Sequence, residues 1–218
     1  MVEIKICGFT KDAEARKACE LNISMLGVVV DVPVRTPREV SLSKAKSLLE
    51  QAPRSIKTVV VSMPQALEKA QRLDDEMEAD FLQIHSQLTV SEFREIAENV
   101  EKRLIGVVSV PKSSEKFEGT LSRASGISEF ADFVLLDTSG ESGGGTGKTH
   151  CWKISRKIVK ELDTPVILAG GLKPSNVRDA VRTVNPYAVD VSSGVEASPG
   201  RKDSGLMRKF VEKAGGID

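Results

Sequence analysis

The feature that most limits what this chain can fold into is a strict alternation. Eight short apolar or β-rich runs each precede a helical stripe, all within 218 residues. The runs are 3–7, 26–30, 56–62, 81–85, 104–109, 133–136, 166–169 and 188–191. They are short, apolar and closed by turn or polar residues, as buried strands are. Between them apolar residues recur at helical spacing, as in Leu42, Ala45, Leu48 and Leu49, or Val90, Phe93, Ile96 and Ala97. Thr89 and Glu92 stand at the spacing of a capping box ahead of that last stripe. The fifth helix, within 115–130, has the weakest pattern because Gly119 and Gly126 interrupt it. No composition break marks a linker, so one domain over 1–218 is expected. Strand-helix alternation argues for a parallel sheet, and eight units argue for closure into an α/β, single-domain (βα)8 barrel. An open doubly wound sheet of eight strands is the alternative.

Composition narrows the function classes. Lys+Arg and Asp+Glu both number 31, so the formal charge is zero and no basic excess suggests nucleic acid as a partner. No apolar run reaches membrane-spanning length, and the N-terminal MVEIKICGF enters a strand pattern without a signal-like region. Cys7, Cys19 and Cys151 form an odd set with neither disulfide nor zinc spacing. A cytoplasmic protein without a membrane partner is expected. His85 and His150 are the only histidines, and no ligand spacing points to a metal site.

In a barrel of this kind the chemistry lies at the carboxyl ends of the strands. Those ends offer Cys7, the 31–38 loop, His85, Asp137, Gly170-Gly171 and Ser192-Ser193-Gly194. The pairs after strands seven and eight are small, donor-rich and close to helix starts, where free N–H groups favour anions. Two such loops side by side indicate a phosphate ligand. Asp137 precedes a glycine-rich loop, with Gly140, Gly143, Gly144, Gly145 and Gly147, that runs into GKT at 147–149. A nucleotide P-loop would need glycine at position 142, which is serine, so that reading fails. Either a flexible surface loop or an anion-facing loop remains open there. A carboxylate at a strand mouth needs a partner or a task. Arg38, in a proline-bracketed loop, could take a carboxylate in bidentate fashion, and so could Arg35. His85 shares a strand face with Gln83 and is either a hydrogen-bonded barrel residue or a ligand contact.

The ordered set KICGFT at 5–10, TPR at 36–38, QIH at 83–85, LLDT with GGTGKT at 135–149, LAGGLKPSNV at 168–177, and DVSSGVE with GRKD at 190–203 resembles the phosphoribosylanthranilate isomerase family. The resemblance implies a cofactor-free Amadori rearrangement of N-(5-phosphoribosyl)anthranilate to 1-(2-carboxyphenylamino)-1-deoxyribulose 5-phosphate, in tryptophan biosynthesis. It places the general base on Cys7 and the general acid on Asp137. Arg38 would hold the anthranilate end. Gly170, Gly171, Ser192, Ser193 and Gly194 would hold the phosphate, with His85, Gly147 and Asp190 also counted as substrate-binding. The only partner implied is the small phosphosugar-anthranilate substrate, and a monomer or homodimer is expected.

The residue types suit that chemistry. An aspartate must be partly desolvated to act as an acid near neutrality. A thiol must be activated to act as a base, and Lys5, two residues before Cys7 on the same strand face, is one source. Lys5 pairing with Asp190 on strand eight is the preferred reading, because a buried ammonium needs a counter-charge. The chain departs from the family with Ser86 after QIH, His150-Cys151 before Trp152 and a valine for phenylalanine after strand two. These changes concern the pocket walls, and His150 could take over an aromatic contact to anthranilate. A phosphosugar-binding barrel without catalysis, or a partner subunit of a tryptophan-pathway complex, is the alternative.

Overall fold

A computed structural model describes residues 2–86, 88–112, 117–138 and 149–215. The eight pairs are β1 (Glu3–Cys7), α1 (Asp12–Cys19), β2 (Met25–Val29), α2 (Leu42–Leu49), β3 (Lys57–Ser62), α3 (Leu67–Glu76), β4 (Phe81–Ile84), α4 (Val90–Ala97), β5 (Arg103–Val110), α5 (Phe117–Ser128), β6 (Phe133–Thr138), α6 (Trp152–Glu161), β7 (Val166–Leu168), α7 (Val177–Val184), β8 (Ala188–Val191) and α8 (Ser204–Gly215). Each strand pairs in parallel with the next, and β8 pairs with β1, so the sheet is a closed barrel and not the open alternative.

Strand side chains alternate in direction, which divides the core in two. Ile4, Ile6, Val134 and Leu136 point outward and are buried under the helices. Cys7, Met25, Val59, Phe81, Ile105, Phe133 and Leu135 fill the barrel interior. Burial on both faces is why the strands read as continuous apolar runs. The Thr89–Glu92 capping box forms at the start of α4. No helix among the described residues is long and apolar enough to cross a membrane.

Two differences from the sequence reading matter for the site. First, β6 continues through Asp137 and Thr138, which pair with Ser109 and Val110 of β5. Asp137 is therefore held by the ladder and does not begin a loop. Secondly, the chain does not pass directly from β8 to the last helix. A single 3₁₀ turn at Ser193–Val195 leads into a hairpin of β9 (Glu196–Ser198) and β10 (Arg201–Lys202). Strands of three and two residues are too short to show a period.

The seam between β1 and β8 carries a buried ion pair, as the register Lys5 to Asp190 requires. Lys5 Nζ lies 3.0 Å from Asp190 Oδ2, with the lysine side chain fully buried and the aspartate 11% exposed. Burial works to discharge the ammonium, but Asp190 and then Cys7 hold its proton, and its pKa ends above the ordinary lysine value. Asp190→Leu should cost about 3–5 kcal/mol in urea unfolding, because it strands a buried charge. Adding Lys5→Met should recover most of that loss. A double variant as unstable as the single one would show that the pair is not the source of the cost.

Candidate active site

The carboxyl ends of the strands enclose a cavity of about 270 Å³. Cys7, Arg38, His85, Asp137, Gly170, Gly171, Asp190, Ser192 and Ser193 all line it, so residues far apart in the chain meet as expected. Arg35 lines it too, as do Gln83 and the apolar Val29, Val61, Met63 and Leu172. Gly194 does not, and Gly147, with the rest of the glycine-rich loop at 139–148, lies outside the described residues.

Cys7 is 6% exposed and ends β1 opposite Gly27 of β2. A Cβ at Gly27 would sit 2.8 Å from Cys7 Sγ, so the glycine makes room for the sulfur. Lys5 acts on the thiol in the direction the sequence offered, but does not prevail. Burial pushes its pKa up, and although Lys5 and Lys202 pull it down, burial prevails. Both lysines favour the thiolate, so the site opposes its ionisation by desolvation alone, apart from a repulsion from Asp190.

Asp137 behaves as the acid role requires. Burial raises its pKa above the ordinary carboxylate value, against the lowering effects of His85 and the Thr138 backbone N–H. That N–H donates to Oδ1 at 2.7 Å, while Oδ2 lies 3.6 Å from His85 Nε2. Burial likewise pushes the His85 pKa down, so the ring is neutral. The Gln83 amide nitrogen lies 3.4 Å from His85 Nδ1. Gln83 thus meets the ring at Nδ1, while Nε2 faces Asp137. Gln83 is 2% exposed, and this contact was legible in the QIH spacing only as a shared strand face.

The loops after β7 and β8 form a cradle. Gly170 and Gly171 have φ of +82° and +66°, which favour glycine. A Cβ on Gly170 would also meet the Thr138 nitrogen at 2.7 Å and Asp137 Oδ1 at 2.9 Å. Gly194 serves packing: a Cβ there would come within 1.8 Å of the Leu172 carbonyl, so its absence lets the two loops touch. Among the described residues the backbone N–H groups of Gly171, Ser193 and Gly194 have no acceptor. Such a set of donors suits an anion.

Arg38 is less simple than expected. Its Nε and Nη2 each donate at 2.8 Å to the two carboxylate oxygens of Glu196. The bidentate partner foreseen for it is thus first a protein side chain. Glu196 was not singled out from the sequence, because nothing there announces the hairpin that carries it. His150 is also placed otherwise than expected. It is 6% exposed, outside the cavity lining, and lies between the hydroxyls of Thr138 (3.1 Å) and Ser155 (2.6 Å). Among the described residues no group of three or more His, Cys, Asp or Glu could hold a metal ion.

Comparison with known proteins agrees with this geometry. A family model described as N-(5'-phosphoribosyl)anthranilate (PRA) isomerase matches residues 4–213. An N-(5'-phosphoribosyl)anthranilate isomerase of Haloferax volcanii is 40% identical over 215 residues, covering 98% of this chain and 93% of that one. The crystal structure of phosphoribosyl anthranilate isomerase from Thermotoga maritima superposes with a TM-score of 0.85 at 33% identity, covering 100% of both chains. A further crystal structure, of a phosphoribosyl anthranilate isomerase in complex with reduced 1-(o-carboxyphenylamino)-1-deoxyribulose 5-phosphate, superposes with a TM-score of 0.81 at 31% identity and the same coverage.

Burial of His150 has a measurable consequence. Its pKa is pushed down to about 4. Between that value and the unfolded value near 6.5, the unfolded chain binds a proton that the folded one refuses. The stability is whole above about pH 6.5 and is lost as pH falls towards 4, by on the order of 3 kcal/mol. His150→Gln should lose that much less between pH 7 and pH 4.5 in urea unfolding. Equal losses in both proteins would place the titration elsewhere.

Proposed function

The chain belongs to the N-(5'-phosphoribosyl)anthranilate isomerase family and is an aldose-ketose isomerase of tryptophan biosynthesis, and on that premise we propose that Cys7 is the general base and Asp137 the general acid. The observation that supports this most is the meeting of both groups in one cavity beside the anion cradle.

The reaction is an internal redistribution of hydrogen, so atoms balance without a co-reactant. Opening the furanose breaks the bond from C1 to the ring oxygen, and that oxygen needs a proton. Asp137, raised by burial, keeps one better than a solvated carboxylate does. Opening leaves an iminium at C1. Removal of the proton on C2 then places its electron pair between C1 and C2, giving an enaminol. Cys7 takes that proton as its thiolate, the thiol's own proton having first passed to solvent, and the positive charge of the iminium favours the thiolate that Lys5 and Lys202 already pull towards. Tautomerisation gives C2 its carbonyl and C1 its second hydrogen. His85, whose Nε2 lies 3.6 Å from Oδ2, steadies the Asp137 carboxylate once it has given up its proton.

Binding uses the two ends of the cavity. The 5′ phosphate is assigned to the Gly170-Gly171 and Ser192-Ser193 loops, on the strength of their donors. The anthranilate carboxylate is assigned to Arg38. A guanidinium has five N–H groups, of which Glu196 takes two. Asp190 belongs to this reading as a substrate contact through its cavity face. One barrel over 1–218, as a monomer or homodimer in the cytosol, is the unit expected to act, with the phosphosugar-anthranilate as its small-molecule partner.

Cys7→Ser and Asp137→Asn should each lower kcat by roughly 10²–10⁴-fold, measured as loss of anthranilate-type fluorescence of the substrate. Inorganic phosphate should still bind both variants as it binds the parent. Turnover near that of the parent in either variant would remove the role assigned to that residue.

A further inference from the structure

The hairpin after β8 carries two buried charges that the proton transfers do not use. Glu196 is 4% exposed and Lys202 is fully buried. Lys202 Nζ donates to Glu196 Oε1 at 2.8 Å, to the Ser192 carbonyl at 3.1 Å and to Ser192 Oγ at 3.3 Å. An ammonium has three donors, so none is left for a ligand. Ser192 Oγ accepts from Lys202, which leaves its own proton to point elsewhere, and Ser192 lines the cavity. The same Glu196 carboxylate receives both N–H groups of the Arg38 fork. Its Oε2 also accepts from the Gly200 N–H at 3.2 Å, which ties it to the hairpin turn. The turn in its turn is held by the loop after β1, through the Thr10 hydroxyl on the Gly200 carbonyl at 2.7 Å.

One carboxylate therefore binds two cations side by side behind the cavity wall: Arg38 Nε and Lys202 Nζ both lie 2.8 Å from Glu196 Oε1. Arg38, 16% exposed, would otherwise be free to adopt the many rotamers of its long side chain. A fork held on one edge presents its other edge in a fixed direction. Arg38, Glu196 and Lys202 also sum to one excess positive charge in a largely buried place, which favours an anion in the cavity next to it.

We propose that Glu196, backed by Lys202, is a positioning residue for substrate binding: it aims the Arg38 guanidinium at the substrate carboxylate and, through Lys202 and Ser192, ties that end of the site to the phosphate end. The proposal rests on the assignment of Arg38 and Ser192 made above. Glu196 touches no substrate atom in this scheme, and its effect passes through Arg38.

The test is a double-mutant cycle on the full chain. Glu196→Gln keeps the shape and removes the charge. It should raise KM for N-(5'-phosphoribosyl)anthranilate by about 10–100-fold while kcat changes far less. In an Arg38→Ala background the same substitution should add less than about threefold, because the residue it positions is gone. Additive effects, or a parental KM in Glu196→Gln, would overturn the proposal. An unchanged KM in Arg38→Ala would instead overturn the assignment of Arg38 itself. Should Glu196→Gln not fold, the pair Glu196→Gln/Lys202→Met, which removes one charge of each sign, is read in the same cycle.

Discussion

Closing a parallel sheet on itself decides most of what this protein can do. Once β8 pairs with β1, alternate side chains of every strand point into a volume with no exit except at the two ends. Apolar groups such as Phe81, Ile105 and Phe133 fill the lower part. A polar group placed inside must find its counterpart there. Lys5 does so with Asp190 directly across the closing seam, where the register leaves the two side by side. The barrel and its charge pair are one arrangement, since the pairing that closes the sheet also neutralises the lysine.

The same burial sets the chemistry. Desolvation is the leading influence on Cys7, His85 and Asp137, and in each it favours the neutral form. For Asp137 this is what an acid needs. For Cys7 it works against a base, and the two buried lysines are the opposing force. A site that raises Asp137 by dryness raises Cys7 as well, and Lys5 and Lys202 stand where their charge opposes that effect on the thiol. In the proposed mechanism the iminium of the ring-opened substrate adds to that charge only after Asp137 has given its proton, which would order the two transfers.

The fold was largely legible because closed-barrel strands are buried on both faces and so announce themselves as apolar runs. Strand ends shifted by a residue or so, as at β6, where Asp137 belongs to the ladder. The positions of Cys7, Asp137, Gly170, Gly171, Ser192 and Ser193 at one mouth followed from counting strands, since parallel strands all end on the same side. Gly194 has a second reason that the sequence did not show, because a glycine that admits the Leu172 carbonyl looks the same in a sequence as one that only offers an N–H. The place of His150 stayed open in the sequence because only packing shows which way a side chain turns: Thr138 and Ser155 hold it outside the cavity lining.

By itself the amino-acid sequence determined the eight strand-helix repeats, their parallel order and which residues end the strands, because periodicity and strand polarity are local properties. Only the tertiary structure decided how those residues are charged and aimed. Protonation at Cys7 and Asp137 depends on how much water the whole barrel excludes, and the direction of Arg38 depends on a carboxylate 158 positions further along the chain. Both are sums over neighbours brought in by the fold, and no window of sequence contains them.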